Sequence, residues 1–134
     1  MAKLEAVEGI GEVYAGELRD AGIRSTESLL KAGASLKGRK AIAERSGIGE
    51  ALTLRWVNHV DLFRIKGVGE EYADLLEASG VDTVVELAKR DPGHLSAKLA
   101  AVNQDRKRVR RLPTKAQVKD WVKQAKKLPR GISY

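Results

Sequence analysis

Apolar residues along the chain recur at spacings of three and four, and no stretch alternates apolar with polar as a half-buried strand would. Tyr14, Ala15, Leu18 and Ala21 line one face of a helix that opens after Gly9-Ile10-Gly11 and closes at Gly22, where glycine supplies the positive φ of a helix end. From Gly67 through Tyr72, Ala73, Leu75 and Leu76 to Gly80 the same arrangement returns. Ser25 and Thr83 stand at N-cap positions for the next helices, Thr83 with Glu86 at capping-box spacing. Further helices are expected over about residues 36–46, 50–60, 92–102 and 114–128. Pro113 and Thr114 mark the last start, and Gln117 completes a second capping box. The expectation is an all-α protein.

A shift of 58 positions superposes Val7 to Lys31 on Ile65 to Lys89 without a gap, and nine of the 25 pairs are identical. They include Gly9/Gly67, Gly11/Gly69, Glu12/Glu70, Tyr14/Tyr72 and Gly22/Gly80, and after an insertion of about seven residues Trp56-Val57 returns as Trp121-Val122. Such agreement exceeds what composition alone produces. Two related halves are expected, residues 1–62 and 63–134, joined near Asp61-Leu62-Phe63-Arg64.

Composition narrows the chemistry. The 134 residues suit one compact unit or two very small ones, and only six are aromatic, while Ala, Leu, Glu, Lys and Arg, the residues that lose least in a helix, abound. The absence of Cys excludes a disulfide framework, a thiolate zinc site and a cysteine nucleophile. His59 and His94 lie far apart with no carboxylate cluster at ligand spacing, so neither a metal nor another cofactor is expected. No segment reaches the roughly 18 apolar residues of a membrane span, and the start lacks the basic and apolar blocks of a signal peptide. A soluble cytoplasmic protein that avoids membranes is the expectation.

The formal charge is +7, from 25 Lys and Arg against 18 Asp and Glu, and its distribution along the chain is uneven. Residues 1–97 hold 13 basic and 16 acidic side chains, net −3, whereas residues 98–134 hold 12 and 2, net +10. The densest run is Arg106-Lys107-Arg108-Val109-Arg110-Arg111. Downstream, Val118, Trp121, Val122, Ala125 and Leu128 form an apolar helix face, and Lys115, Lys119, Lys123 and Lys126 form a cationic stripe along one flank of it. Such a block repels itself unless it stays solvated or meets a polyanion, and Arg suits bidentate phosphate recognition better than Lys.

The series apolar, x, Gly, apolar, Gly, x, x, apolar, Ala, x, x, Leu at Val7 to Leu18 and Ile65 to Leu76 resembles the helix-hairpin-helix motif. Gly47-Ile48-Gly49 looks like a third copy, and a fourth falls near Asn103-Gln104-Asp105, where both glycines are missing. Two hairpins per half resemble the paired helix-hairpin-helix, or SAM-like, domain. Gly38-Arg39-Lys40, Trp56 to Leu62 running into Arg64 to Gly69, Leu112-Pro113, Trp121 and Leu128-Pro129 resemble an uncharacterised bacterial family of duplicated helix-hairpin-helix proteins, which carries no assigned role. The wider resemblance implies that hairpin backbone N–H groups and the following helix N-terminus hold a phosphate, at Gly9-Ile10-Gly11, Gly47-Ile48-Gly49 or Gly67-Val68-Gly69. Each turn is followed by an acid, Glu12, Glu50, or Glu70 with Glu71, and only Gly67-Val68-Gly69 is preceded by cations, Arg64 and Lys66. At the first turn, glycine as turn geometry is the favoured role.

No catalytic constellation accompanies these features. Gly-x-Gly is never extended to a dinucleotide fingerprint, no Walker lysine follows a glycine loop, and Ser46 lacks the strand context of a nucleophile elbow. The expected function is non-catalytic, sequence-independent binding of nucleic acid, DNA before RNA. Arg106, Lys107, Arg108, Arg110 and Arg111 are its main contacts, Lys115, Lys119, Lys123 and Lys126 extend them, and Lys66-Gly67-Val68-Gly69 fixes one phosphate. The alternative is an adaptor with structural hairpins whose basic end docks on an acidic protein.

Overall fold

The computed structural model describes residues 2–134; Met1, the formal start of the first half, lies outside the described residues. The protein is all-α, with no strand among the described residues. After a 3-10 turn at Leu4–Ala6 come α1 (Glu12–Asp20), α2 (Thr26–Gly33), α3 (Leu36–Ser46), α4 (Glu50–Leu62), α5 (Glu70–Ala78), α6 (Val84–Ala88), α7 (Pro92–Asp105) and α8 (Lys115–Lys127). No helix is long and apolar enough to cross a membrane.

Local signals place most helix starts. Ser25 caps α2 through a box closed by another hydroxyl: Ser28 N donates to Ser25 Oγ (3.1 Å), and Ser25 N donates to Ser28 Oγ (3.0 Å). At α8 both halves of the expected box form, with Gln117 N on Thr114 Oγ1 (3.1 Å) and Thr114 N on Gln117 Oε1 (2.8 Å). At α6 only half forms. Glu86 N donates to Thr83 Oγ1 (3.2 Å), but the Glu86 carboxylate turns to Lys89 and Arg90 instead, at 3.5 and 3.8 Å. Asp91 caps α7 through His94 N (2.9 Å), with Pro92 in the first turn, where its missing N–H costs nothing.

The chain divides into two compact units, the first running to Asp61 and including Gly131–Tyr134, the second comprising Leu62–Arg130. Leu4, Leu18, Leu29, Ile42 and Trp56 are among the fully buried residues of the first. Its α2 and α3 meet so closely that a Cβ on Gly38 would lie 1.9 Å from the Ala32 carbonyl oxygen. Arg39, 3% exposed, donates from Nη1 to Gly33 O (2.9 Å) and from Nη2 to Ser133 O (2.8 Å), with its guanidinium 5.8 Å from the Tyr134 ring centre. Ser133 N donates to Ala34 O (2.8 Å), and Ile132 is buried. The Gly38-Arg39 pair therefore closes a helix corner and binds residues 131–134, a connection across 94 positions that carries no periodic signal.

In the second unit Leu62, Ile65, Val68, Leu75, Leu76, Val81, Leu87, Leu99, Val109, Val118, Trp121 and Val122 form one core, within which α8 packs on α6 and α7. The formal charge follows this division. Residues 62–130 hold 16 basic and 9 acidic side chains, while the first unit holds 9 of each.

Burial pushes the Asp82 carboxyl above its ordinary value, against a backbone hydrogen bond that lowers it, and Glu86 and Glu77 add to the rise. A carboxyl raised in the folded state adds stability below about pH 4 and loses it as pH rises through the raised value. Asp82→Asn should therefore melt higher than the natural protein at pH 7, with the gain absent at pH 3. Thermal unfolding at the two pH values checks this.

Candidate nucleic-acid interface

At positions 58 apart, the two units carry the same turn geometry. Gly9 and Gly67 have φ of 94° and 97°, a region that L side chains rarely occupy, and Gly22 and Gly80 have 93° and 89°. A Cβ on Gly9 would lie 3.3 Å from Trp56 Nε1, and one on Gly67 would lie 3.1 Å from Trp121 Nε1. Each indole thus packs against the first glycine of a turn. Tyr14 meets Trp56 at 5.0 Å between ring centres, and Tyr72 meets Trp121 at 5.3 Å. The first glycine is demanded by both backbone and packing.

The second glycine is not. Gly11 and Gly69 are extended, at φ −90° and −98°, a conformation open to any residue, and no atom lies within 4 Å of a Cβ on either. Gly49 faces open space in the same way. Gly11 and Gly69 are the N-caps of α1 and α5, and no side chain caps either helix. Glu12, Glu70 and Glu71 are exposed and leave those first-turn N–H groups uncovered. At the third turn Ile48 N donates to Ser46 Oγ (3.2 Å), and Thr53 Oγ1 donates to Gly49 O (3.0 Å).

Around Gly67-Val68-Gly69 three segments converge. Gln124 of α8 grips the Lys66 backbone at both ends, accepting from its N–H at 2.8 Å and donating to its carbonyl at 3.0 Å, which leaves the Lys66 ammonium exposed. Tyr72, in the first turn of α5, donates its hydroxyl to Arg111 O (3.0 Å). Arg108 Nη1 reaches both oxygens of Asp74 at 3.3 and 3.2 Å, and the next residue of the loop, Val109, is 2% exposed. The arginine loop is thereby moored to the helix that the glycine turn begins. Arg106, Lys107, Arg110 and Arg111 remain exposed on it.

Two sequence expectations change in detail. Asn103-Gln104-Asp105, the place of the fourth turn, lies within α7. The turn comes later, with Asn103 in place of glycine geometry. Its Oδ1 accepts from Arg108 N (2.8 Å) and Val109 N (3.0 Å), and its Nδ2 donates to Val109 O (3.2 Å). Arg108 in turn holds Asp74 as a mooring rather than standing free beside its neighbours. Arg64 is likewise engaged, donating from Nη2 to Pro129 O at 2.6 Å. Tyr72, Asp74, Asn103 and Gln124, which organise the site, carry no signal in the local pattern beyond the Tyr14/Tyr72 repeat. Asn103→Ala should lower the melting temperature by releasing three loop hydrogen bonds, about 1 kcal/mol apiece at most, and should raise amide exchange at residues 106–110.

Lys115, Lys119, Lys123 and Lys126 are exposed on α8, along one flank of the buried face of Val118, Trp121, Val122 and Ala125. They do not face the turn: with about 100° per residue, their centre lies roughly 150° round the helix from Gln124. Among the described residues, no three His, Asp or Glu side chains are grouped to hold a metal ion.

An all-helical protein with a glycine turn, uncovered backbone donors and a moored arginine loop is what these elements define. The chain belongs to the family described as a domain of unknown function, DUF4332, whose family model matches residues 8–128 and so spans both repeated glycine turns. No curated protein and no solved structure matches it.

Proposed function

We propose that the chain is a tandem helix-hairpin-helix protein that binds duplex nucleic acid, DNA before RNA, through its backbone and without catalysing a reaction. The reading is carried by one observation, the Tyr72 hydroxyl on the Arg111 carbonyl, which draws the arginine loop to the helix that starts at Gly69. A phosphate at Gly69 would meet first-turn N–H donors and the positive end of α5, with Lys66, Arg110 and Arg111 as its neighbouring cations. Gly69 fits this role because the fold leaves open space where its Cβ would stand, and a close-approaching ligand requires that space. Glu70 and Glu71 oppose the anion, so the loop cations supply most of the attraction. Arg108 acts by position, holding the loop through Asp74.

Titration of a random-sequence duplex at 50, 100 and 200 mM salt tests this reading. Binding at micromolar or lower concentration, weakening steeply with salt and indifferent to sequence, is expected. An absence of binding at 50 mM salt would overturn it.

A second reading, a protein contact at the first turn distinct from an adaptor that docks its basic end on an acidic protein, is favoured by that turn. There Glu8 stands where Lys66 stands in the second unit, Val13 is 73% exposed, and Tyr14 is 38% exposed. These features suit contact with a basic, partly apolar protein segment rather than with phosphate. A protein partner retained after Arg110 and Arg111 are changed, and lost on Val13→Glu, would single this reading out.

A further inference from the structure

We infer that the lysine stripe of α8 is a second duplex-binding face, separate from the turn-and-loop site, so that a single chain bridges two duplex segments. This rests on the nucleic-acid reading and adds a stoichiometry to it.

The geometry of α8 carries the inference. With Trp121 as reference and about 100° per residue, Gln124 and Asp120 fall near −60° and −100°, while Lys115, Lys119, Lys123 and Lys126 fall between about 120° and 200°. The buried side chains Val118, Trp121, Val122 and Ala125 occupy the arc from about 0° to 100°, and on the solvent side exposed Lys127 falls near about −120°, between Asp120 and the stripe. Gln124 is the residue that grips Lys66, so the glycine turn sits against one flank and the stripe runs along the other. Asp120, the only acid of the helix, is on the turn's flank, where its Oδ2 accepts from Gln124 Nε2 at 2.8 Å. The stripe flank is left with four exposed ammonium groups, none in an ion pair among the described residues.

From Lys115 to Lys126 the stripe extends about 16 Å, at 1.5 Å per residue. That matches the axial rise of roughly five base pairs. Four ammonium groups over that length suit contact with successive phosphates along a duplex lying parallel to the helix. One duplex cannot serve both faces. The two sets of side chains point roughly 150° apart around a helix about 10–12 Å wide, so a duplex laid along one is turned away from the other. Duplex DNA, stiff over about 150 base pairs, does not wrap so narrow a cylinder to reach both. Two duplexes, one on each face, satisfy all the cations without that deformation.

Native mass spectrometry with a 14-base-pair random duplex in excess, at low salt, reads the stoichiometry directly. One chain with two duplexes is expected. The variant K115Q/K119Q/K123Q/K126Q changes only exposed positions; it should melt like the natural protein, keep one duplex and lose the two-duplex species at least tenfold. The loop variant R110E/R111E should also be limited to one duplex, held by the stripe. Capture of a labelled free duplex on immobilised duplex should require both faces.

A natural protein that binds one duplex and never two overturns the bridging inference while leaving the nucleic-acid reading intact. Two duplexes joined only by two or more chains, or a stripe variant that still takes two, also overturns it. A stripe that takes polyglutamate and no duplex assigns that face to an acidic protein. Failure to bind any duplex overturns both readings together.

Discussion

With the lysine stripe removed by K115Q/K119Q/K123Q/K126Q, changing Arg110 and Arg111 to Glu lowers the affinity for a random duplex at least tenfold at 50 mM salt and shrinks the slope of log affinity against log salt by about two. Each phosphate contact contributes close to one unit of that slope, because a bound cation releases a condensed counterion. Both side chains are exposed, so the change reaches the ligand without disturbing the core. Arg108→Gln provides the contrast. Its guanidinium is already spent on Asp74, which is only 18% exposed, so removing it costs roughly 1–2 kcal/mol of stability and loosens the loop. The salt slope should then stay near that of the natural protein. Equal effects of the two changes on the slope would show that position in the loop does not matter, against the structure's division of labour.

Alanine at the two glycines of one turn should produce opposite outcomes. Gly67→Ala forces a side chain into φ +97° and its Cβ to 3.1 Å from Trp121 Nε1. Backbone strain of this kind costs roughly 1–3 kcal/mol, and the indole must shift as well. For a unit of this size, 2 kcal/mol lowers the melting temperature by roughly 8–16 °C. Gly69→Ala meets no neighbour within 4 Å and adopts an ordinary extended φ, so the melt should fall only by the cost of alanine at an N-cap, about 1 kcal/mol or less. Its methyl group instead occupies the space that a phosphate needs, and duplex affinity should fall severalfold in a fully folded protein. A Gly69→Ala variant that binds as tightly as the natural protein would remove that turn from the interface.

Much of the architecture was legible in the chain because its causes are local. Helix periodicity, caps at Ser25, Thr83 and Thr114, and glycine at Gly22 and Gly80 act within one or two turns, and the helices appear where those signals stand. The ends were less legible. Helices α4 and α7 run past the expected residues 60 and 102 to Leu62 and Asp105. At α7 the extension follows from Asn103, whose side chain closes the next turn and does not break the helix. The Thr83/Glu86 box closed only halfway because Lys89 and Arg90 compete for the carboxylate.

The cationic residues of the candidate site were equally visible as a count, but their separate tasks were not. Arg108 and Arg111 look alike in sequence, and only a partner 34 positions away makes one a mooring, while a backbone contact 39 positions away sets the other beside α5. The lysine stripe looked like an extension of the arginine run. The contact of Gln124 with Lys66, across 58 positions, sets the turn on the other flank of α8.

By itself the sequence determined the helical class, the twice-repeated glycine turn with its tyrosine and tryptophan, and the concentration of charge in the last third of the chain. Each depends on composition or on interactions between near neighbours. Tertiary structure decided which cations meet the turn, which are consumed within the fold and which face away. Those outcomes depend on groups brought together over 34 to 94 positions, and local periodicity holds no record of such pairings.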